Sequence, residues 1–241
     1  MRVAVIADLH GNLTALDAVL ADVAAARVDQ LVCLGDVAAT GPQPHETVAR
    51  LRSLGCPVVM GNTDADSLRP VRLSSTDEDG RRFWEIDEWC TKQLAPDDLA
   101  YMRTFQPTVT MPLGDGATLL CFHGSPRRAT ESIDVTTPDT ALARMFKGFH
   151  ATVLAGGHTH APFTRRHGQA VIFNPGSVGL PFEMLDEGAR NPPWAEYGMI
   201  EWQAGRLNLE LRRVPIDIKM VIEAALQSGM PHADWWAHDW R

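Results

Sequence analysis

The feature of this 241-residue sequence that most restricts its fold is a short apolar segment that ends at polar residues and is followed by a helical pattern. Val3 to Ala7 is continuously apolar, which is typical of a strand covered on both faces. Asp8 and His10 follow at once, and residues 12–27 then place leucine and valine at helical spacing. The sequence therefore predicts a strand, a polar loop and a helix in direct succession, as in a parallel α/β sheet.

The same order of elements repeats along the first 62 residues. Residues 30–34 and 57–60 are predicted strands, and residues 44–54 form a predicted helix between them. This β-α-β-α-β order implies parallel strands joined by right-handed crossovers. A helical insert is predicted at about residues 64–106. Strands are then predicted at residues 108–111, 117–122, 151–154, 170–173, 197–202 and 207–213, and helices at 139–146 and 216–227. We expect one α/β domain over residues 1–241, with the later strands in a second sheet packed on the first.

Charge and cysteine content narrow the range of functions. The net charge of -8, with no lysine or arginine cluster longer than a pair, argues against binding to duplex nucleic acid. The first apolar run is too short for a signal peptide or a membrane span, which predicts a cytoplasmic protein without a membrane partner. The four cysteines are scattered with no CxxC pair, so we expect reduced structural residues rather than disulfides or zinc ligands.

Seven residues with metal-binding side chains follow directly after apolar runs. In an open α/β sheet, ligands gather at the carboxyl ends of the strands, so separate segments would deliver these residues to one edge. Any one of them alone would more often be a cap or a core residue, and only the set indicates a site. The seven are Asp8, His10, Asp36, Asn62, His123, His158 and His160.

The chemistry of this set favours two metal ions. Carboxylate oxygen, imidazole nitrogen and one amide oxygen suit Mn²⁺, Fe²⁺, Zn²⁺ or similar ions, whereas Mg²⁺ alone would want fewer histidines. Seven side chains exceed the three or four that one catalytic ion uses, but two ions that share a carboxylate would use them all. The expected cofactors are therefore two divalent ions, with Mn²⁺ first and Fe, Zn or Ni as alternatives.

Five short motifs, in this order, resemble those of the calcineurin-like metallophosphoesterases. They are Asp8-Leu9-His10-Gly11-Asn12, Gly35-Asp36, Gly61-Asn62, His123-Gly124 and Gly157-His158-Thr159-His160. The segments at residues 41–44 and 173–179 are similar to those of the small, single-domain bacterial branch of this family. The resemblance covers residues 8–179, and the motifs are highly specific as a set.

The resemblance implies a four-layer α/β/β/α sandwich, in which two mixed sheets are flanked by helices. It implies a phosphoesterase that hydrolyses small phosphate esters through attack of a metal-bridging hydroxide. Asp36 would bridge the ions, and the catalytic residues would be Asp36, Asn62 and His123. The implied ligands are Asp8, His10, Asp36 and His160 for one ion, and Asp36, Asn62, His123 and His158 for the other.

One position departs from the family pattern. The family usually follows the Gly-Asn motif with a histidine that assists the transition state or the leaving group, and this chain has Thr63 there. Asp64, Asp66 and His45 are candidate substitutes, although a helix cap or a solvated loop residue is the more ordinary role for each. Phosphodiesters are slightly favoured as substrates because their leaving groups need less protonation. The alternatives are a phosphomonoesterase acting on a small phosphorylated metabolite or nucleotide, and a non-catalytic metal-binding interaction module of the same fold.

A pair of arginines forms a candidate substrate-binding site. Arg127 and Arg128 lie just after the His123-Gly124 motif, and with Asn62 they are the residues we expect to contact a substrate phosphate. The ordinary alternative is that both arginines are exposed loop charges.

The C-terminal segment, residues 231–241, concentrates tryptophan in a polar setting. Trp235, Trp236 and Trp240 are expected to cover an edge of the core, which is the usual role of such a cluster. The alternative is a contact between two copies of the chain, because tryptophan is enriched at the centres of interfaces.

Overall fold

The computed structural model describes residues 1–69, 77–185 and 188–240. Helices and strands alternate at first, and strands predominate in the second half of the chain. The helices are α1 (Leu13–Ala26), α2 (Pro44–Leu54), α3 (Asn62–Leu68), α4 (Glu78–Gln93), α5 (Pro96–Met102), α6 (Asp139–Met145), α7 (Ile218–Gln227) and α8 (Ala233–His238). The strands are β1 (Arg2–Ile6), β2 (Gln30–Cys33), β3 (Val109–Gly114), β4 (Ala117–Cys121), β5 (Val153–Ala155), β6 (Phe163–His167), β7 (Ala170–Asn174), β8 (Glu183–Leu185), β9 (Gly188–Arg190), β10 (Trp194–Gln203) and β11 (Arg206–Pro215).

Two mixed sheets and one short hairpin contain these strands. The first sheet has the order β11-β10-β1-β2, with β1 parallel to β2 and antiparallel to β10. The second has the order β3-β4-β5-β7-β6, in which the central strands are parallel and the two edge strands are antiparallel to their neighbours. Strands β8 and β9 form the hairpin. Two mixed sheets flanked by helices confirm the predicted fold class.

The alternation of side chains along β1 shows how the four layers are held together. Val3 and Val5 point into an apolar layer shared with the second sheet, whereas Ala4 and Ile6 point into the layer that α1 and α2 cover. On the outer face of the second sheet, Leu142 of α6 packs in a separate apolar cluster. The order of layers is therefore helix, sheet, sheet, helix.

The expected helical insert is present as α3, α4 and α5, although residues 70–76 of that stretch lie outside the described residues. Helix α4 packs against the two C-terminal helices through its buried face. Ile86 and Cys90 on that face join a cluster with residues of α7 and α8. The insert and the C-terminal helices thus support one another beside the first sheet.

Several predicted boundaries were wrong. Residues 57–60 do not form a regular strand: Val58 and Val59 make only single parallel bridges, to Cys33 and Gln106. Pro57 has no amide hydrogen to donate, and the chain turns into α3 immediately afterwards, so pairing cannot extend. Helix α7 begins at Ile218 rather than at residue 216, because the side chain of Asp217 caps its first amide groups. Strands β6, β8 and β9 and helix α8 were not predicted.

All four cysteines are free, as expected, and Cys33, Cys90 and Cys121 are buried. Burial also raises the pKa of each of these three thiols, which disfavours a thiolate. Among the described helices, none combines the length and the apolar character that crossing a bilayer requires.

The tryptophans of the C-terminal segment pack within their own chain. Trp236 and Trp240 are 4% and 1% exposed, and the indole N–H of Trp236 donates to the carbonyl of Thr40 at 2.8 Å. Trp235 is half-buried beside Phe83, with ring centroids 4.9 Å apart. Arg241 lies outside the described residues. The predicted packing on the core therefore holds for Trp236 and Trp240, while self-association through this segment stays a prediction that light scattering of the whole chain would test.

Asp64 holds together the backbone that carries the predicted metal ligands. Its carboxylate is 1% exposed and accepts hydrogen bonds from the amides of Asp36 at 2.9 Å, Val37 at 2.9 Å and Gly61 at 3.0 Å. The loop after β2 and the start of α3 are thereby fixed to one side chain. This explains a buried carboxylate at the second residue after Asn62: it is a structural anchor.

We predict that Asp64→Ala strongly destabilises the protein. Three buried amide groups would lose their acceptor, and each unpaired group costs about 1–3 kcal/mol, partly offset because a buried charge is also removed. The free energy of unfolding in urea should fall by about 2–5 kcal/mol. Asp66→Ala on the exposed side of the same helix is the matched control and should change it by less than about 0.5 kcal/mol. Equal stability of the two variants would contradict the anchoring role.

Candidate metal centre and active site

The loops that leave the strand ends of both sheets meet at one place. Asp8 and His10 follow β1, and Asp36 follows β2, both in the first sheet. His123 follows β4 of the second sheet, and the loop after β5 carries the remaining two histidines. The structure thus brings together the residues that the sequence placed at strand ends, and Asn62 joins them as the first residue of α3.

Five of the seven predicted ligands have a left-handed backbone. Their φ angles lie between +45° and +68°, a region that side chains other than glycine rarely adopt. Such a conformation costs about 1–2 kcal/mol per residue, so it persists only where the surrounding structure imposes it. Backbone hydrogen bonds impose it here, for example from Asp8 N–H to the Gly35 carbonyl and from His10 N–H to the Asp36 carbonyl, both at 3.0 Å. The five are Asp8, His10, Asp36, His158 and His160.

The first group of potential ligands contains Asp8, His10 and His160. One donor atom from each lies within 4.8 Å of the others. The two imidazole Nε2 atoms are 3.1 Å apart, and His160 Nε2 is 3.6 Å from Asp8 Oδ1. All three side chains are nearly excluded from solvent, which suits a small enclosed ion.

The second group contains Asp36, His123 and His158, again with donor atoms within 4.8 Å. His123 Nε2 is 3.3 Å from Asp36 Oδ2 and 3.0 Å from the amide oxygen of Asn62. Asp36 Oδ2 is also 4.0 Å from His10 Nε2 of the first group. One carboxylate oxygen of Asp36 therefore lies between the two groups, where a shared ligand would have to be.

Three of the histidines are fixed in one tautomer by backbone carbonyls. The Nδ1–H groups donate to the carbonyls of Ala39, Leu34 and Leu180 at 3.0, 2.8 and 2.7 Å, respectively. A carbonyl can only accept, so the proton is on Nδ1 and the Nε2 lone pair of a neutral ring faces the centre. Such a second hydrogen bond is the usual support of a metal-binding histidine. The three are His10, His123 and His160.

This arrangement has too many acceptors unless a cation is present. The Nε2 atoms of His10 and His160 face each other at 3.1 Å, and each would present a lone pair if both rings were neutral. His123 Nε2 likewise faces the carbonyl-type oxygen of Asn62 and a carboxylate. A proton or a metal ion must separate such atoms, because two buried acceptors without a donor repel. The donor set therefore fits divalent cations.

Buried charges shift the pKa values of these residues. Burial is the largest single influence and opposes protonation of His123, but the charge and hydrogen bond of Asp36 and the charge of Asp8 together outweigh it and raise the pKa of His123 to about 10. Burial and the neighbouring His160 lower the pKa of His10 to about 4. For Asp36, burial is the largest single influence and opposes ionisation, but the charge and hydrogen bond of His123 and the charge of His10 together outweigh it and lower the pKa. The carboxylates are thus ionised and strongly favour positive charge beside them, which metal ions supply as they replace protons.

The predicted substrate-binding arginines lie beside His123. A cleft of about 150 Å³ is lined by His123, Arg127 and Arg128 among others, and both arginines are exposed. A guanidinium nitrogen of Arg127 donates to the carbonyl of Arg144 at 2.9 Å, whereas the Arg128 side chain makes no hydrogen bond or ion pair to a described residue. The structure therefore leaves Arg128 the freer of the two to meet an anion.

The surroundings of Thr63 show which predicted substitutes for the family histidine are available. The Thr63 amide donates to Asp36 Oδ1 at 3.0 Å, and its buried hydroxyl has no partner among the described residues. Asp64 accepts hydrogen bonds from three amides, and His45 is hydrogen-bonded to Asp98, so both have structural partners. Asp66 is exposed on α3.

Sequence reasoning missed Asp87 of α4. Its half-buried carboxylate accepts a hydrogen bond from the Thr40 hydroxyl at 2.8 Å, and Thr40 is adjacent to Ala39, the residue that holds His10. Burial raises the pKa of Asp87 to about 7, and the charge of Asp36 acts in the same direction. No local motif marks this residue, because only folding of the insert brings α4 to the centre.

The segment at residues 173–179 supports the centre from the other side. The Asn174 amide donates to the Gly157 carbonyl at 3.0 Å, and the Ser177 hydroxyl donates to the Asp8 carbonyl at 2.8 Å. The loop after β1 and the loop after β5 are thereby fastened to the same segment.

Comparison with known proteins gives the family of this chain. A family model of the calcineurin-like phosphoesterase superfamily domain matches residues 1–190. The crystal structure of a metallophosphoesterase from Sphaerobacter thermophilus is 29% identical, has a TM-score of 0.77, and the match covers 100% of this chain and 98% of that one. An uncharacterized protein of Methanocaldococcus jannaschii is 26% identical over 244 residues, 95% of this chain and 93% of that protein. A hypothetical protein from Pyrococcus horikoshii shares the fold, with a TM-score of 0.78 at 17% identity over 95% of this chain and 94% of that one.

The family match covers more than three quarters of the sequence, since it includes residues 1–190 of 241, and every predicted ligand lies inside it. Two groups of aspartate and histidine donors that could hold metal ions lie within the matched residues. The chain therefore belongs to the calcineurin-like phosphoesterase superfamily and is a metal-dependent phosphoesterase.

Proposed function

We propose that this protein uses two divalent ions to hydrolyse phosphodiesters, with Mn²⁺ as the preferred ion. The observation that carries the proposal is the position of Asp36 Oδ2, 3.3 Å from His123 Nε2 in one donor group and 4.0 Å from His10 Nε2 in the other. A single carboxylate oxygen between two three-residue groups is what a pair of ions would share. Fe, Zn and Ni remain alternatives, since imidazole and carboxylate ligands suit all of them.

Bound divalent ions would lower the pKa of water to near neutrality and neutralise charge on the phosphoryl oxygens. The protein would hold them through Asp8, His10, Asp36 and His160 on one side, and through Asp36, Asn62, His123 and His158 on the other. The Nδ1 hydrogen bonds described above aim three of the imidazoles, so little reorganisation would be required when ions and substrate bind. Asn62 and Arg128 would orient the phosphate from the side of His123.

We predict that Asp36→Asn lowers kcat/KM by at least about a hundredfold and reduces bound metal from two equivalents toward one or none. The amide keeps the shape of the carboxylate but loses the charge that two ions would share. Elemental analysis and steady-state kinetics measure both effects. Asp97 is exposed on α5, so Asp97→Asn is the matched control and should change neither kcat/KM nor the amount of bound metal. Two equivalents of metal in Asp36→Asn, with unchanged turnover, would refute the binuclear proposal.

Proton donation to the leaving group needs a residue other than Thr63. We infer that Asp87 supplies it, because Asp64 and His45 are engaged elsewhere and Asp87 can hold a proton near neutral pH. Thr40 hydrogen-bonds to the Asp87 carboxyl through its hydroxyl and through its backbone, and both contacts favour the charged form, but burial and the charge of Asp36 favour the protonated form more strongly. A carboxylic acid of this kind helps esters with basic alkoxide leaving groups most.

We predict that Asp87→Asn lowers kcat/KM for alkyl esters by about tenfold or more, and for 4-nitrophenyl esters by much less. Asp87 must be protonated to donate, so in the wild type the rate with alkyl esters should fall as the pH rises through about 7. That fall should disappear in Asp87→Asn and persist in the control Asp66→Asn. Adding Thr63→His to Asp87→Asn should recover part of the lost activity. An unchanged pH profile in Asp87→Asn would exclude this role.

Assays with matched phosphomonoesters and phosphodiesters distinguish two other activities from the proposed one. A phosphomonoesterase acting on a small phosphorylated metabolite or nucleotide would hydrolyse monoesters faster than matched diesters. A non-catalytic metal-binding module would bind ions but hydrolyse neither class with Mn²⁺, Zn²⁺, Ni²⁺ or Mg²⁺.

A further inference from the structure

An apolar pocket of about 250 Å³ lies between α4, α8 and the β8–β9 hairpin. Four aromatic rings and one methionine side chain supply most of its wall. Contiguous apolar patches are uncommon on the accessible surface of a protein, and they generally mark binding sites. The residues are Phe83, Phe182, Met184, Trp235 and Trp236.

The pocket shares a wall with the metal centre. The imidazole of His160 contacts the ring of Phe182, with centroids 5.3 Å apart, and its Nδ1–H donates to the carbonyl of Leu180 at 2.7 Å. Leu180 and Phe182 both line the pocket. A phosphate ester bound at the centre could therefore extend one of its organic groups past His160 into the pocket.

One buried polar atom beside the pocket has no partner among the described residues. The side chain of Asn191 lines the pocket, the residue is 7% exposed, and its amide oxygen accepts no hydrogen bond from any described residue. The Asn191 backbone amide donates to the carbonyl of Asp239 at 2.7 Å, which fixes the residue in place. A buried acceptor without a donor is unfavourable, and its presence in a binding pocket indicates a ligand that brings the donor.

We propose that this pocket binds the base of a nucleotide-type substrate while its phosphate lies at the metal centre. This rests on the proposed phosphodiesterase activity. Nucleobases are planar, so they stack on aromatic rings, and each carries an N–H donor on its edge that Asn191 Oδ1 would accept. A purely aliphatic group would leave Asn191 unpaired, and a sugar would leave its hydroxyls unpaired against the apolar walls. The volume is slightly below the roughly 300 Å³ of the smallest drug-sized pockets, as expected for one ring system.

Binding of free nucleosides to the full chain tests the pocket without any hydrolysis. Trp235 and Trp236 line the pocket, so bound nucleoside should quench tryptophan fluorescence. Asn191→Leu should weaken nucleoside binding about tenfold, the effect of losing one neutral hydrogen bond. The variant should fold normally, because an unpaired buried amide is replaced by an apolar side chain of similar size. Asn208→Leu on exposed β11 is the matched control and should bind like the wild type.

Two chromogenic diesters test the same inference during catalysis. Thymidine 5′-(4-nitrophenyl) phosphate and methyl 4-nitrophenyl phosphate share a leaving group and differ only in the group that the pocket would hold. The ratio of their kcat/KM values should favour the thymidine ester in the wild type and fall about tenfold in Asn191→Leu. An unchanged ratio and unchanged nucleoside binding in that variant would overturn the pocket proposal even if both esters are hydrolysed. Nucleoside binding that depends on Asn191, without hydrolysis of either ester, would support the pocket and refute the proposed phosphodiesterase.

Discussion

The carboxylate of Asp8 joins the two sheets at the edge where the metal centre lies. It is fully buried and accepts the amide of His158, with the nitrogen 3.1 Å from Oδ2 and 3.3 Å from Oδ1. Gly157 makes this approach possible, because a Cβ atom there would lie 2.8 Å from Asp8 Oδ2. The Asp8 carbonyl is held in turn by the amide of Gly179 at 2.9 Å. Asp8 therefore helps to set the distances between ligands from the two sheets, together with the hydrogen bond from His123 to the Leu34 carbonyl.

The centre concentrates unfavourable features that the rest of the fold must offset. Five residues with left-handed backbones, two fully or nearly buried carboxylates and several buried imidazoles lie together at the centre. None of these features stabilises an apo protein, and positive charge is needed to balance them. The rest of the fold holds these groups in place. The Asp64 carboxylate fixes the backbone, and the three Nδ1 hydrogen bonds fix the imidazoles, so that the Nε2 and carboxylate atoms face the centre. Binding of metal should therefore add to the stability of the folded chain.

The two donor groups face different surroundings, so the two sides of the metal centre differ in their chemistry. His123 borders a cleft with exposed arginines, whereas His160 borders an aromatic pocket with one unpaired amide. A charged group on one side and a planar apolar group on the other would favour esters that carry both. Helices α4 and α8 build the aromatic side, so the insert and the C-terminal segment take part in forming the site rather than merely covering the core.

Local sequence predicted the strands that precede Asp8, Asp36 and His123 and the amphipathic helices, because apolar runs and helical periodicity are local properties. It also named seven candidate ligands from their chemistry, and six of them lie in the two donor groups. It did not predict edge strand β6, whose polar residues at 164–167 give a weak strand pattern that pairing with β7 alone stabilises. It also placed a regular strand at residues 57–60, where neighbours on both sides allow only single bridges.

The tertiary structure alone decided the hydrogen-bond partners of the acidic residues around the centre. Asp64 and Asp87 are both acidic residues in a helical segment, but three backbone amides surround the first, and the second lies half-buried beside Thr40. The tautomers of the three carbonyl-bound histidines and the unpaired amide of Asn191 also arise from partners distant in the sequence. A sequence specifies which donors and acceptors are available, but only the packed chain brings together residues that are far apart along it, and the local dielectric and hydrogen-bond partners that set each residue's role exist only there.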